Sequence, residues 1–148
     1  MKKFLVIVLL LVYETILFVG CSKESTYQPT ELENVSISIS DVSPTGATII
    51  IKDTNNTPYI YGEWYKIEKE KDGKWYDIET VIDDYCFEAI GYIPNDNKEV
   101  KYTIDWEWLY GELPVGNYRL LKNIDSQYIS IEFNVASTDE WLKYNFSK

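Results

Sequence analysis

The sequence contains no histidine. That absence removes imidazole chemistry, so Ser-His-Asp triads, Cys-His pairs and His-ligated zinc sites are excluded. Arginine occurs once, at Arg119, and 14 basic residues face 24 acidic ones for a formal charge of −10. Phosphate recognition rests on clustered Lys and Arg, so nucleic acid is not an expected partner. Cysteine is nearly absent too, with Cys21 and Cys86 alone. What is abundant is aromatic: 13 Tyr and 5 Trp among 148 residues. That is too rich for a disordered acidic chain, and the length suits one domain.

Lys2 and Lys3 precede an unbroken apolar run, Phe4 to Val12, and the stretch continues to Gly20-Cys21. A positive start, an apolar body and a small residue before cysteine resemble a bacterial lipobox, in which the cysteine is diacylated and becomes the new N-terminus. Residues 1–20 are therefore expected to be a lipoprotein signal peptide and Cys21 the lipidation site. The domain would then sit lipid-anchored on the extracytoplasmic face of the cell membrane. Phe18 where leucine is usual, and Glu14 within the apolar stretch, keep an uncleaved membrane anchor as the alternative. Residues 21–34 are polar and carry Pro29, which reads as a flexible tether. With Cys21 acylated, Cys86 lacks an intrachain partner; between Tyr85 and Phe87 it is expected to pack as a small buried hydrophobe.

From Val35 the pattern has period two. Val35, Ile37 and Ile39 alternate with serines, and Ala47, Ile49 and Ile51 follow the turn at Pro44-Thr45-Gly46. A long strand is expected from Tyr59 to Glu70, closed by Asp72-Gly73 into a second from Trp75 to Ile82; Asp-Gly is a strong hairpin signal. Further strands are expected at Tyr85–Ile93, at Glu99–Leu109 with Trp106 and Trp108 on one face, at Tyr118–Lys122 and at Tyr128–Val135. Seven or eight strands at this spacing, without a long helix, predict an all-β, immunoglobulin-like antiparallel β-sandwich over residues 35–136. A closed barrel is the other option. Residues 137–148 form a tail, either an unstructured end or one helical turn that would point Trp141, Leu142 and Tyr144 at the sandwich.

Two segments carry more than strand periodicity: Tyr61-Gly62-Glu63-Trp64-Tyr65 running to Asp72-Gly73-Lys74-Trp75-Tyr76, and Asp105-Trp106-Glu107-Trp108-Leu109-Tyr110-Gly111 running to Gly116, Tyr118 and Arg119. With Gly46-Ala47-Thr48 they resemble a bacterial immunoglobulin-like domain family found in secreted and lipid-anchored proteins of low-GC Gram-positive bacteria. The resemblance spans about Val35 to Val135 and implies an extracytoplasmic module with no catalytic residues to carry over.

Candidate chemistry is sparse. Adjacent Asp83 and Asp84 are the nearest approach to a glycosidase carboxylate pair, and they or Asp53-Thr54-Asn55-Asn56 offer oxygens to calcium. The sequence carries no assigned catalytic residue, metal site or cofactor. The aromatic excess points to a binding face, for which Tyr59, Tyr61, Trp64, Tyr85 and Tyr110 are the candidates. Its partner would be a protein or glycan of the cell envelope. Arg119 is expected to pair across strands with Asp105 or Glu107, as a surface ion pair.

Overall fold

The computed structural model describes residues 23–137. Segment 1–20, Cys21 and the turn expected around Trp141 lie outside the described residues.

Nine strands form among the described residues: β1 (Val35–Ser40), β2 (Gly46–Asp53), β3 (Tyr61–Gly62), β4 (Tyr65–Lys71), β5 (Lys74–Asp77), β6 (Gly91–Tyr92), β7 (Glu99–Asp105), β8 (Gly116–Ile124) and β9 (Gln127–Val135). One helical turn, α1 (Glu107–Tyr110), interrupts them. The strands make a three-stranded sheet ordered β1-β2-β7, a four-stranded sheet ordered β5-β4-β8-β9, and the small pair β3-β6. Every pairing is antiparallel. The result is the expected sandwich, not a closed barrel.

Alternation explains the core. Ala47, Ile49 and Ile51 of β2 are buried, with Val100 and Ile104 opposite Ile51 and Ala47 on β7. Ile67, Leu120 and Phe133 project inward from the other sheet, since side chains two apart share a face. Trp106 fills the space between, fully buried, stacked on Phe133 at 5.3 Å and donating its indole N–H to the Pro44 carbonyl at 2.8 Å. Tyr118 stacks on the same Phe133 at 5.6 Å and turns its hydroxyl back to donate to the Pro114 carbonyl at 2.6 Å. A tyrosine at the start of a strand bonding its own upstream loop is the tyrosine corner of sandwich domains. Gly46 is required by close approach, for a Cβ there would stand 2.5 Å from the Ile104 carbonyl oxygen.

Several expected strands are shorter than their alternation suggests. The run from Tyr59 breaks at Glu63-Trp64, so β3 pairs with β6 while β4 crosses to β8. The Asp72-Gly73 hairpin forms as expected, both residues at positive φ (54° and 75°). Its return strand, however, stops at Asp77, and the segment from Ile78 to Ile90 forms no strand at all. Cys86 is consequently exposed rather than buried. The Glu99–Leu109 run ends at Asp105, whose carboxylate accepts the Glu107 N–H at 2.9 Å and starts α1. That turn sends Leu109 and Tyr110 inward and leaves Trp108 outside.

From Lys23 onward, the stretch expected to be a flexible tether is bound to the protein. The Ser25 N–H donates to the Trp75 carbonyl and the Asp77 N–H to the Lys23 carbonyl, so residues 23–25 run beside β5. The chain then continues over the outward face of the four-stranded sheet to its β9 edge, where the Thr30 N–H donates to the Tyr128 carbonyl, and Leu32 beyond it joins the core. Beneath it lies the arginine. Arg119 sits opposite Glu68, not beside Asp105 or Glu107, because β8 pairs with β4 and β9 and not with β7. Its Nε donates to Glu68 Oε2 at 2.6 Å, and Ser25 Oγ donates to Glu68 Oε1 at 2.5 Å. Arg119 Nη2 reaches Ser25 Oγ at 3.2 Å and the Tyr27 carbonyl at 3.4 Å, with the guanidinium over the Trp75 ring. Both charged partners are buried. Leu121, on the same outward face, is fully buried as well.

A buried pair that loses one member keeps an uncompensated charge, which costs about 3–5 kcal/mol. Arg119→Ala is expected to lower unfolding free energy in urea by about that amount, and the double variant Arg119→Met, Glu68→Leu by much less. A loss under about 1 kcal/mol for the single variant would place the pair with ordinary surface bridges.

Candidate functional site

The five aromatic residues expected on one binding face are divided by the fold. Tyr61 is fully buried and donates its hydroxyl to Asp53 Oδ2 at 2.8 Å. Tyr110 is buried, its hydroxyl accepting the Ile67 N–H at 3.3 Å, and burial pushes its phenol up to about 12. Neither is available to a ligand. Tyr59 is half-buried against the core, its backbone N–H held by Asp53. Trp64 and Tyr85 remain at the surface, in two different places.

Tyr85 belongs to an exposed apolar surface. Phe87 inserts as a peg, edge-on to buried Tyr65 at 5.1 Å, with Tyr85 and Trp108 packed edge-on to it from outside at 5.9 and 5.8 Å. Val81 is fixed nearby by its N–H to the Leu109 carbonyl at 2.8 Å. The segment from Val81 to Ile93 holds Val81, Ile82, Tyr85, Ile90 and Ile93, all 40–67% exposed. Ile60 borders it through Gly91, where a Cβ would meet the Ile60 side chain at 2.7 Å. Among the described residues, Val115 is the single large exposed apolar side chain outside this group. Sequence reading marked Tyr85 here but missed Trp108, whose alternation placed it with buried Trp106.

Trp64 lines a groove of about 580 Å³ between β3, the 89–91 stretch and the β8–β9 turn. Its floor is a ring cluster: Trp64 lies 6.4 Å from Tyr27 and 5.7 Å from Tyr128, and those two meet edge-on at 4.8 Å. Asn123 and Asp125 supply polar groups at one end, and Ile60 and Ile90 form the wall shared with the apolar surface. Tyr27 could not be anticipated, because it lies in the segment read as tether.

The remaining candidates are structural. Asp53 is buried, and its carboxylate accepts from the Asn55 backbone and side-chain nitrogens, the Tyr59 N–H and the Tyr61 hydroxyl. Burial alone would raise its pKa, but these donors outweigh it and hold the group below the usual carboxylate range. A carboxylate saturated by donors has little left for calcium. Asp83 and Asp84 are both exposed, and no cluster of three metal-ligating side chains occurs among the described residues. Sequence reading also passed over Lys122, which is fully buried on the inward face beside Tyr118 and Leu120. Its Nζ donates to the Gly62 carbonyl at 2.6 Å and lies 5.0 Å from the Tyr102 ring. Burial lowers its pKa to about 8, against the pull of Glu63.

A lysine whose folded pKa is depressed gives up its proton earlier in the fold than in the unfolded chain, where it titrates near 10.4. Its burial penalty is therefore present below about 8 and relieved as pH rises through that value. The urea midpoint should climb as pH rises from about 8 toward the unfolded value of about 10.4, and Lys122→Met should flatten that climb. Parallel slopes in the two proteins would remove Lys122 as its source.

Residues 31–140 match the family model described as a bacterial Ig-like domain. No curated protein and no solved structure matches the chain. The match takes in both sheets, the buried Trp106 and the tyrosine corner at Tyr118. The chain belongs to the bacterial Ig-like domain family.

Proposed function

We propose that the protein is a non-catalytic binding module, tethered at the extracytoplasmic face of the membrane through acylated Cys21, that docks a protein partner of the cell envelope. One observation carries the docking: exposed large apolar side chains gather on the 81–93 segment and its neighbours Ile60 and Trp108 instead of scattering. Exposed apolar side chains gathered on one segment in this way mark an interaction site, and tyrosine and tryptophan supply much of the binding energy of protein interfaces. The tether is supported by the Lys2-Lys3, apolar and Gly20-Cys21 pattern of the sequence.

A second reading, a glycan site, draws on the groove. Tyr27, Trp64 and Tyr128 offer ring surface, and Asn123 with Asp125 offer hydrogen-bonding groups suited to hydroxyls.

Labelled palmitate should enter the wild type and be lost in Cys21→Ser; equal labelling sinks the acyl tether. For docking, a photo-crosslinking side chain at Ile82 in whole cells should give a discrete adduct, with none from the same group at Ser38 on β1. Adding Tyr85→Ala with Trp108→Ala should reduce that adduct by about tenfold or more. Adducts of equal yield at both positions, or no adduct from Ile82, would end the docking reading.

A further inference from the structure

We infer that the partner seated on this surface is a basic protein segment, one that presents Lys or Arg among apolar side chains. The inference rests on the surface being a docking site and adds the chemistry of what docks there. From Trp75 to Asn97 the sequence has no Lys or Arg. Glu79, Asp83, Asp84 and Glu88 lie exposed among the apolar side chains of that stretch, and exposed Glu107 adjoins Trp108. The ion pairs among the described residues are Lys66–Asp77, Lys74–Glu24 and Arg119–Glu68, so none of these five carboxylates has a counterion among the described residues.

An apolar centre with a charged rim is the usual layout of a docking surface. Along this segment the charged residues carry one sign. A neutral or acidic partner would strip water from the carboxylates and return nothing, whereas Lys or Arg would pair with them and gain in approach rate. The aliphatic stems of those residues can lie on Tyr85 and Trp108 while their charged heads reach the rim, and ring faces themselves attract cations. The same carboxylates oppose an anionic lipid surface. The partner is thus distinguished from both a phospholipid headgroup layer and a purely apolar peptide.

The test uses the full chain in detergent micelles and three short fluorescent peptides in which Leu alternates with Lys, Gln or Glu. The Lys-Leu peptide should bind by anisotropy, about tenfold more tightly than Gln-Leu, with Glu-Leu weaker still and the advantage falling as salt rises. Asp83→Asn, Asp84→Asn, Glu88→Gln together should erase the Lys-Leu advantage. Neutralising Asp41, Asp72 and Glu132, exposed acids away from this segment, should leave it intact. If both triple variants lose binding equally, the attraction is only net charge and the inference falls. If all three peptides bind alike and all lose affinity in Trp108→Ala, the surface docks without choosing charge; the inference falls and the docking reading stands. If no peptide binds and the Ile82 crosslink is also absent, both fall. Preference for phosphatidylglycerol vesicles over the Lys-Leu peptide would assign the surface to lipid and overturn the inference.

Discussion

The Glu68–Arg119 pair is the constraint around which the molecule is arranged. Opposite positions on neighbouring strands put the two side chains on the outward face of the four-stranded sheet, where water would normally screen them. Here the segment from Lys23 to Leu32 crosses that face and excludes it, with Ser25 and Tyr27 taking up the remaining hydrogen-bonding groups. Burying a charge without such partners would be prohibitive. Pair and segment therefore depend on one another: the segment dries the pair, and the pair gives the segment a fixed place to end. The sandwich becomes a three-layer object at this point, and Leu121 is buried beneath the third layer.

The architecture was readable wherever one physical rule acted alone. β1, β2 and β9 alternate cleanly, because each has one face on the core and one in water, and the Asp-Gly pair marks its hairpin by requiring two positive φ angles. Reading failed where a second force competed with periodicity. Trp106 and Trp108 share a strand face in sequence, yet Asp105 closes on the Glu107 N–H and turns the chain between them. Polar composition suggested a mobile leader, but hydrogen bonds to β5 and one buried arginine hold it. The partner of Arg119 was mistaken because pairing order between sheets is a long-range property that alternation does not encode.

The candidate binding face was only partly visible for the same reason. Composition shows an aromatic excess but does not tell which rings the fold will spend on itself. Tyr61, Tyr65, Tyr110 and Tyr118 are spent that way, each with its hydroxyl bonded to a carboxylate or to backbone. The most exposed rings, Tyr85 and Trp108, lie where regular structure gives out, on the strandless segment after β5 and on the one-turn helix. This division is sensible: strands supply a rigid frame, while a loop segment pegged by Phe87 can carry apolar groups without offering an open sheet edge.

The attachment of Lys23 to Asp77 also bears on mechanics. With acyl chains on Cys21, Ser22 alone would lie between the anchoring residue and the first residue bonded to the domain. Two steps along a chain reach about 7 Å at ~3.3–3.6 Å per residue. Such a leash would have little slack, and the domain could not rise clear of the bilayer. Its reach would be lateral, so that the partners it could meet would be those presented close to the membrane surface.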